Sequence, residues 1–304
     1  MRMIAALLAL VWVAIGVHGA FSYGDAYLTY RGFPPPKDPP GVRSGHLVTP
    51  HFWSPALRQE RSYVVYEPPG YARAAARGKR FPVLYLLHGA PGKPMAFIDV
   101  ARAGVALDEG LDRHRLRPFL LVMPDGRNGT LRSDTEWANA ERGNYESLAM
   151  ETVHQVDAHF ATKRSRRFRA IGGNSEGGYA ALNIALHHLG TFSIAEGWSG
   201  YYWQERVGPF KHASPALLRA NDPELYVRAM RARLRRFPLH AYLYKGNREP
   251  RDVKVRAAAF ARELRAEGAH ATFRLFPGGH SWRVWRDQTP RMLRYASRLF
   301  GARR

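Results

Sequence analysis

Along most of the chain, short apolar runs of strand length alternate with longer stretches whose apolar positions recur at helical spacing. Pro82-Val-Leu-Tyr-Leu-Leu87 and Pro118-Phe-Leu-Leu-Val-Met123 are continuous apolar runs broken sharply by His88-Gly-Ala-Pro-Gly92 and Pro124-Asp-Gly126. That is the pattern of strands covered on both faces of a parallel sheet. Phe168–Ile171, Phe192–Trp198, His240–Lys245 and Thr272–Phe276 read as further strands. Gly45–Phe52 and Gln59–Glu67 read as an antiparallel pair joined through Trp53-Ser54-Pro55. Between these runs, Leu148, Val153, Val156 and Phe160 share one helical face, Gly178–Leu189 reads as a helix, and Pro223–Leu234 and Asp252–Glu267 are helical by composition. The last helix is predicted from about Pro290 to Phe300. Strands alternating with helices predict an α/β fold, a doubly wound and mostly parallel sheet with helices on both faces and no repeat or second domain.

The N-terminus follows a different pattern. Arg2 precedes a charge-free apolar run, Met3–Ile15, and then Gly16-Val-His-Gly-Ala20. A basic start, an apolar core and small residues near a possible cut predict a signal peptide over residues 1–20. The apolar stretch is nearly long enough to span a bilayer, so an uncleaved N-terminal membrane anchor is the alternative. In either case the rest of the chain is expected outside the cytoplasm, secreted or anchored. Phe33-Pro-Pro-Pro-Lys-Asp-Pro-Pro40 holds five prolines in eight residues, which favours an extended spacer. Residues 21–44 are therefore read as a linker and residues 45–304 as the folded domain.

Composition adds charge to this picture. The 304 residues carry 46 Lys and Arg against 25 Asp and Glu, a net charge of +21. Such an excess attracts polyanions, and an anionic membrane or wall surface fits better than nucleic acid, for which no recognisable binding motif is present. Lys163–Arg167 and Arg228–Arg236 read as solvated faces. With no cysteine, disulfides and thiolate metal sites are excluded. His154 and Asp157 share a helix face without a third ligand, so neither a metal nor a cofactor is expected.

The chemistry centres on Gly173-Asn174-Ser175-Glu176-Gly177, a G-x-S-x-G sequence between a predicted strand and a predicted helix. In that context the serine sits on a tight elbow with the helix N-terminus behind it, which marks Ser175 as a nucleophile. A serine needs a base, and His280, after a strand and Gly278-Gly279, is the candidate. The third member, the acid, is expected in the loop after His240–Lys245. Glu249 is favoured by its spacing from Gly246, with Asp252 as the alternative. Backbone N–H groups of Glu176 and Ala90 are the candidate oxyanion donors, with Gly92 behind Ala90 because Pro91 has none to give. His88 is expected to shape that loop. Tyr201, Tyr202 and Trp203 follow a strand at the ligand-binding edge and are candidates for walls of the substrate pocket, with core packing open for at least one of them. Asp134-Thr-Glu-Trp137 is read as fixing a loop first.

From about Leu47 to Leu299 the sequence resembles the esterase D-like family ("Putative esterase") of α/β-hydrolases, which includes feruloyl and siderophore esterases and the antigen 85 mycolyltransferases. The matching pieces are Phe52-Trp-Ser-Pro55, Tyr66-Glu-Pro-Pro-Gly-Tyr71, Tyr85-Leu-Leu-His-Gly89, Gly173-Asn-Ser-Glu-Gly-Gly178, Tyr244-Lys-Gly246 with Glu249, and Gly279-His280. The resemblance implies an α/β-hydrolase fold with an eight-stranded core sheet, a Ser175–His280–acid triad, and ester hydrolysis or acyl transfer without a metal. Glu249 departs from the Asp of many relatives, although antigen 85-like members use Glu. The expected function is thus a serine esterase acting on a small-molecule, lipid or carbohydrate ester. An acyltransferase with the same triad and a catalytically silent binding protein on a hydrolase scaffold are the alternatives.

Overall fold

The apolar runs become the inner strands of one sheet. The structure, a computed structural model, describes residue 24 and residues 26–130 and 134–301; the expected signal or anchor lies outside these residues. The strands are β1 (His46–Val48), β2 (His51–Ser54), β3 (Gln59–Glu67), β4 (Val83–Leu87), β5 (Leu120–Pro124), the small hairpin β6 (Asn139–Ala140) and β7 (Gly143–Asn144), β8 (Arg169–Asn174), β9 (Ile194–Trp198), β10 (His240–Gly246) and β11 (His270–Phe276). The main sheet runs β1-β3-β5-β4-β8-β9-β10-β11, with β2 added alongside β3. From β5 to β11 all neighbours are parallel, and only β1, β2 and β5 pair antiparallel with β3. This is the α/β-hydrolase architecture, with the eight-stranded path that the resemblance implies.

Along β4, alternate side chains enter opposite layers, as a two-residue period requires. From Tyr71 onward the helices are α1 (Tyr71–Ala76), α2 (Ala96–Asp99), α3 (Ala103–Asp112), α4 (Tyr145–His159), α5 (Glu176–His187), α6 (Pro215–Ala220), α7 (Pro223–Tyr226), α8 (Arg231–Arg236), α9 (Arg251–Ala266) and α10 (Trp282–Gly301), and Val83, Tyr85 and Leu87 join a core with α4, α5 and α9. Leu84 and Leu86 join the other, built on α3 (Ala103–Asp112) and α10 (Trp282–Gly301). Helices on both faces explain why these strands read as unbroken apolar runs.

Three elements differ from expectation. The first strand is divided at Pro50, which has no N–H for the ladder; β1 and β2 then pair with separate halves of the long β3. The last helix begins eight residues before Pro290, which lies inside it. A proline usually marks a helix start because it lacks an N–H and clashes with the preceding turn. Here Val284, Trp285, Met292, Leu293, Ala296 and Phe300 form one buried stripe across the proline. Packing on both sides outweighs the lost hydrogen bond, and the Thr289 hydroxyl donates to the Trp285 carbonyl at 2.8 Å. The predicted helix Pro223–Leu234 is likewise three short turns, Pro223–Tyr226, Val227–Ala229 and Arg231–Arg236.

Before the sheet, residues 26–30 are helical and residues 34–39 have no regular structure. Among the described residues, no helix is long and apolar enough to cross a membrane.

The tightest packing in the sheet lies where β8 meets α5. A Cβ on Gly177 would sit 1.9 Å from the Leu87 carbonyl oxygen, and one on Gly173 would sit 2.3 Å from the same atom. Both are glycine because the backbone of β4 occupies the space. Gly177→Ala is expected to destabilise the protein by about 3 kcal/mol or more, the upper range for overpacking. Gly190→Ala, where an added Cβ meets nothing within 4 Å, serves as the control in the same denaturant titration and should change little.

Candidate active site

Ser175 stands at the end of β8, between the strand and α5, with φ 57° and ψ −122°. A non-glycine residue with positive φ is strained, and hydrogen bonds hold this one in place. Its N–H donates to the Trp198 carbonyl at 2.8 Å, and its carbonyl accepts from Gly178 at 2.9 Å and Tyr179 at 3.1 Å. The turn aims the side chain away from the helix and out of the sheet edge.

Three further loops from neighbouring strands reach the same edge. His280, after β11, brings Nε2 to 2.8 Å from Ser175 Oγ. Its Nδ1 lies 3.3 Å from Glu249 Oε2, so the ring bridges the serine and a carboxylate from the loop after β10. Asp252 lies instead on the exposed first turn of α9. There its charge complements the helix dipole.

The Glu249 carboxylate is buried and held by several donors. Oε1 accepts from the Gly246 N–H and the Ser199 hydroxyl, each at 2.7 Å, and Oε2 accepts from Lys245 Nζ at 3.1 Å. Burial alone would raise its pKa, but the His280 hydrogen bond, the Lys245 charge and the Gly246 and Ser199 donors outweigh it and hold the carboxyl at about 2. Lys245 is itself buried, 3% exposed at the side chain. Burial pulls its ammonium down from the usual lysine value and Glu249 pulls it back up. With Glu249 Oε2 at 3.1 Å and the Ser199 carbonyl at 3.3 Å as acceptors, the geometry fits the charged donor. Neither Lys245 nor Ser199 stands out as part of the site from sequence. Lys245 is the inward member of a strand's last residues, and Ser199 reaches the acid only through its own turn at φ 57°.

The oxyanion candidates sit on the other side of Ser175. The loop Gly89–Gly92 presses so closely on the elbow that a Cβ on Gly89 would lie 2.9 Å from Ser175 Cβ. Among the described residues, the N–H groups of Ala90 and Glu176 have no acceptor. His88 fixes this loop from below. Its Nε2 accepts from the Gly126 N–H at 3.1 Å, leaving Nδ1 to donate to the Gly89 carbonyl at 3.0 Å, and its own carbonyl accepts from Trp137 Nε1 at 2.9 Å. Burial pulls the His88 pKa down to about 4, so the ring is neutral.

Next to the helix N-terminus lies a buried acidic cluster. The Glu176 side chain accepts from the Thr135 N–H at 3.1 Å, and burial followed by the Glu136 and Asp134 charges raises its pKa well above the usual range. Burial likewise raises Glu136, whose oxygens accept from the Tyr201 hydroxyl at 2.5 and 2.6 Å and from Gln204 Nε2 at 3.1 Å.

The three aromatic candidates part company. Tyr202 is fully buried and stacks on Phe260 with ring centroids 4.6 Å apart, so it belongs to the core and not to a pocket wall. Its ring packs under α9, which carries Phe260. Trp203 lies under the Arg256 guanidinium at 3.7 Å and donates to Glu205 at 3.2 Å. Tyr201 stacks on Tyr179 at 5.3 Å and points its hydroxyl at Glu136. Of the expected metal-free pair, Asp157 is engaged by Arg169 and Thr162. Among the described residues, no group of three or more His, Asp or Glu is placed to hold a metal ion.

Comparison with known proteins follows the same outline. The family model described as "Putative esterase" matches residues 54–296. An endo-1,4-beta-xylanase/feruloyl esterase of Xylanibacter ruminicola is 26% identical over 191 residues, 60% of this chain and 26% of the relative. An esterase of Mycobacterium tuberculosis is 31% identical over 124 residues, 40% of this chain and 26% of that protein. This chain thus spans about a quarter of the length of the curated relatives it matches. Among solved structures, a ferulic acid esterase superposes with a TM-score of 0.74 at 22% identity, over 84% of this chain and all of the other. With a match that covers most of its length, from the end of β2 into the last helix, the chain belongs to the "Putative esterase" family.

Proposed function

We propose that this chain is an extracytoplasmic serine hydrolase of carboxylic esters that works through an acyl-enzyme. The observation that carries the reading is the continuous contact from Ser175 Oγ through the His280 ring to Glu249, at 2.8 and 3.3 Å. The relatives named above as feruloyl or ferulic acid esterases support the substrate class, an ester of a small acid, and the apolar run at residues 3–15 supports a site outside the cytoplasm.

In this mechanism Ser175 Oγ attacks the ester carbonyl while His280 Nε2 takes the hydroxyl proton. The new oxyanion accepts from the N–H groups of Glu176 and Ala90, and the positive end of α5 adds to their field. Glu249 keeps Nδ1 protonated, so Nε2 faces the serine as the acceptor, and it stabilises the imidazolium. His280 returns the proton to the departing alcohol. Water then repeats the sequence on the acyl-enzyme and releases the acid. Lys245, Ser199 and Gly246 fix the Glu249 rotamer and act through it. Of the three aromatic candidates, Tyr201 is the one left beside the elbow to contact substrate.

A fluorophosphonate probe should label Ser175 covalently, and Ser175→Ala should abolish labelling and lower kcat by at least about 10⁴-fold. Folded wild-type protein that takes up no probe would sink the enzyme reading. Glu249→Gln should lower kcat by about 10²- to 10⁴-fold, against less than about threefold for Asp252→Asn; the reverse ranking would move the acid to Asp252.

The same carboxylate makes a stability prediction. Its pKa is depressed from 4.5 to about 2 on folding, so its contribution is fully present above about 4.5 and is lost as pH falls toward about 2. The unfolding free-energy difference between wild type and Glu249→Gln should therefore shrink over that window, by up to about 3 kcal/mol. A difference that is constant across it would show that the carboxylate is not held ionised.

A further inference from the structure

Away from the serine, α3 and α10 pack against each other and leave a depression of about 200 Å³ between them. Its rim carries Arg102, Arg113, Arg115, Arg286 and Arg294, with Glu109 as the one acidic residue among the described lining. Glu109 is shared by Arg102 at 3.4 Å and Arg113 at 3.2 Å. Among the described residues, Arg115 and Arg294 have no carboxylate within ion-pair distance. Arg286 is already oriented: its Nη1 donates to the Val100 carbonyl at 2.8 Å, and its guanidinium lies 4.8 Å from the Phe33 ring centroid.

Guanidinium groups gathered in a concavity repel one another, and the repulsion is relieved by whatever anion enters. The effect is visible at Arg286, whose pKa is lowered by burial and then by the Arg102 charge, with only Asp287 pulling it back. A single carboxylate ligand would occupy one fork. A phosphoryl group presents several oxygens and up to two charges, which suits arginines that line one depression from the two ends of α3 and from α10. The volume is several times the roughly 30 Å³ share of one water, enough for such a group with some hydration. None of Ser175, Glu249, His280 or the loop 88–92 lines the depression, so it is separate from the ester site.

We propose that this arginine-lined depression is a binding site for a phosphate-bearing ligand. The ligand phosphate sits between α3 and α10, with Arg115 and Arg294 supplying the charge that Glu109 leaves uncompensated. Phe33, packed on Arg286, belongs to the segment that leads from the apolar N-terminus into the domain. The site therefore lies beside the root of that segment, where either a lipid headgroup or a soluble phosphate could reach it. The inference does not depend on the proposed ester chemistry.

The test is calorimetric titration of the full chain with inorganic phosphate, against chloride at matched ionic strength. One-site binding by the wild type should weaken at least tenfold in Arg115→Gln/Arg294→Gln, while Arg73→Gln/Arg77→Gln, which removes equal charge from two exposed positions on the helix Tyr71–Ala76 and its end, should bind as the wild type does. Ester hydrolysis and thermal unfolding of the rim variant report that it is folded. Phosphate heats no different from chloride would overturn the proposal, as would an equal loss in the control pair, since net charge alone would then explain the binding. Cosedimentation with phosphatidylglycerol vesicles, with phosphatidylcholine as reference, separates the sources. Several-fold weaker vesicle binding by the rim variant than by the control identifies a headgroup, and equal vesicle binding alongside lost phosphate binding identifies a soluble phosphate.

Discussion

The whole arrangement depends on one strained residue. Ser175, with φ 57° and ψ −122°, lies outside the backbone regions an L-residue prefers, at a cost of about 1–3 kcal/mol. The conformation persists because its surroundings leave no alternative. β8 is paired on both sides, by β4 and β9, and α5 cannot retreat or advance while Gly177 touches the Leu87 carbonyl. Relaxing the serine would require moving a helix that is buried along most of its length. The strain is thus stored against the best-packed part of the molecule, and the result is a hydroxyl held clear of its own helix.

The order of strands explains why the remaining groups arrive together. Ser175, Ser199, Glu249 and His280 follow β8, β9, β10 and β11, which are consecutive neighbours in the sheet. In a parallel sheet all these ends lie at one edge, and ligands bind in the crevice outside them. Residues separated by 105 positions in sequence, Ser175 and His280, therefore need only three strand spacings to meet. The hydrogen bond from Ser199 to Glu249 is the cross-brace between two of those adjacent ends.

What the sequence reveals divides along the same line. Unbroken apolar runs announce strands covered on both faces because that signal is local, whereas what requires glycine at 173 and 177, the β4 backbone beside them, appears only in the packing. His280 and Glu249 could be placed after their strands by loop position. The burial of Lys245 against Glu249 could not, since a lysine four residues before a glutamate reads equally well as an exposed pair; only the inward direction of that strand end decides it. Tyr201, Tyr202 and Trp203 look alike in the sequence, yet one stacks beside the elbow, one fills the core and one lies beneath an arginine. The difference is the side to which each residue turns after Gly200. Pro290 misleads for the opposite reason. Its local rule is sound, and a long-range apolar stripe overrides it.

The carboxyl groups around the serine are sorted by side. Glu249, beyond the imidazole, is kept ionised by donors that outweigh its burial. Glu176 and Glu136, beside the helix N-terminus, are pushed toward the neutral form by burial, with the Glu136 and Asp134 charges adding to the shift of Glu176 and the Asp134 charge to that of Glu136. In the proposed mechanism an ionised carboxylate there would oppose the negative charge that the Glu176 N–H receives. The buried hydrogen bonds from Thr135 and Tyr201 keep these two side chains in place without demanding their charge. In the proposed mechanism this sorting gives the His280 imidazole a counter-ion and disfavours a second negative charge beside the Glu176 N–H. Separated pKa values are how a fold can assign different work to chemically identical groups, and here the separation follows from the donors and charges around each buried acid.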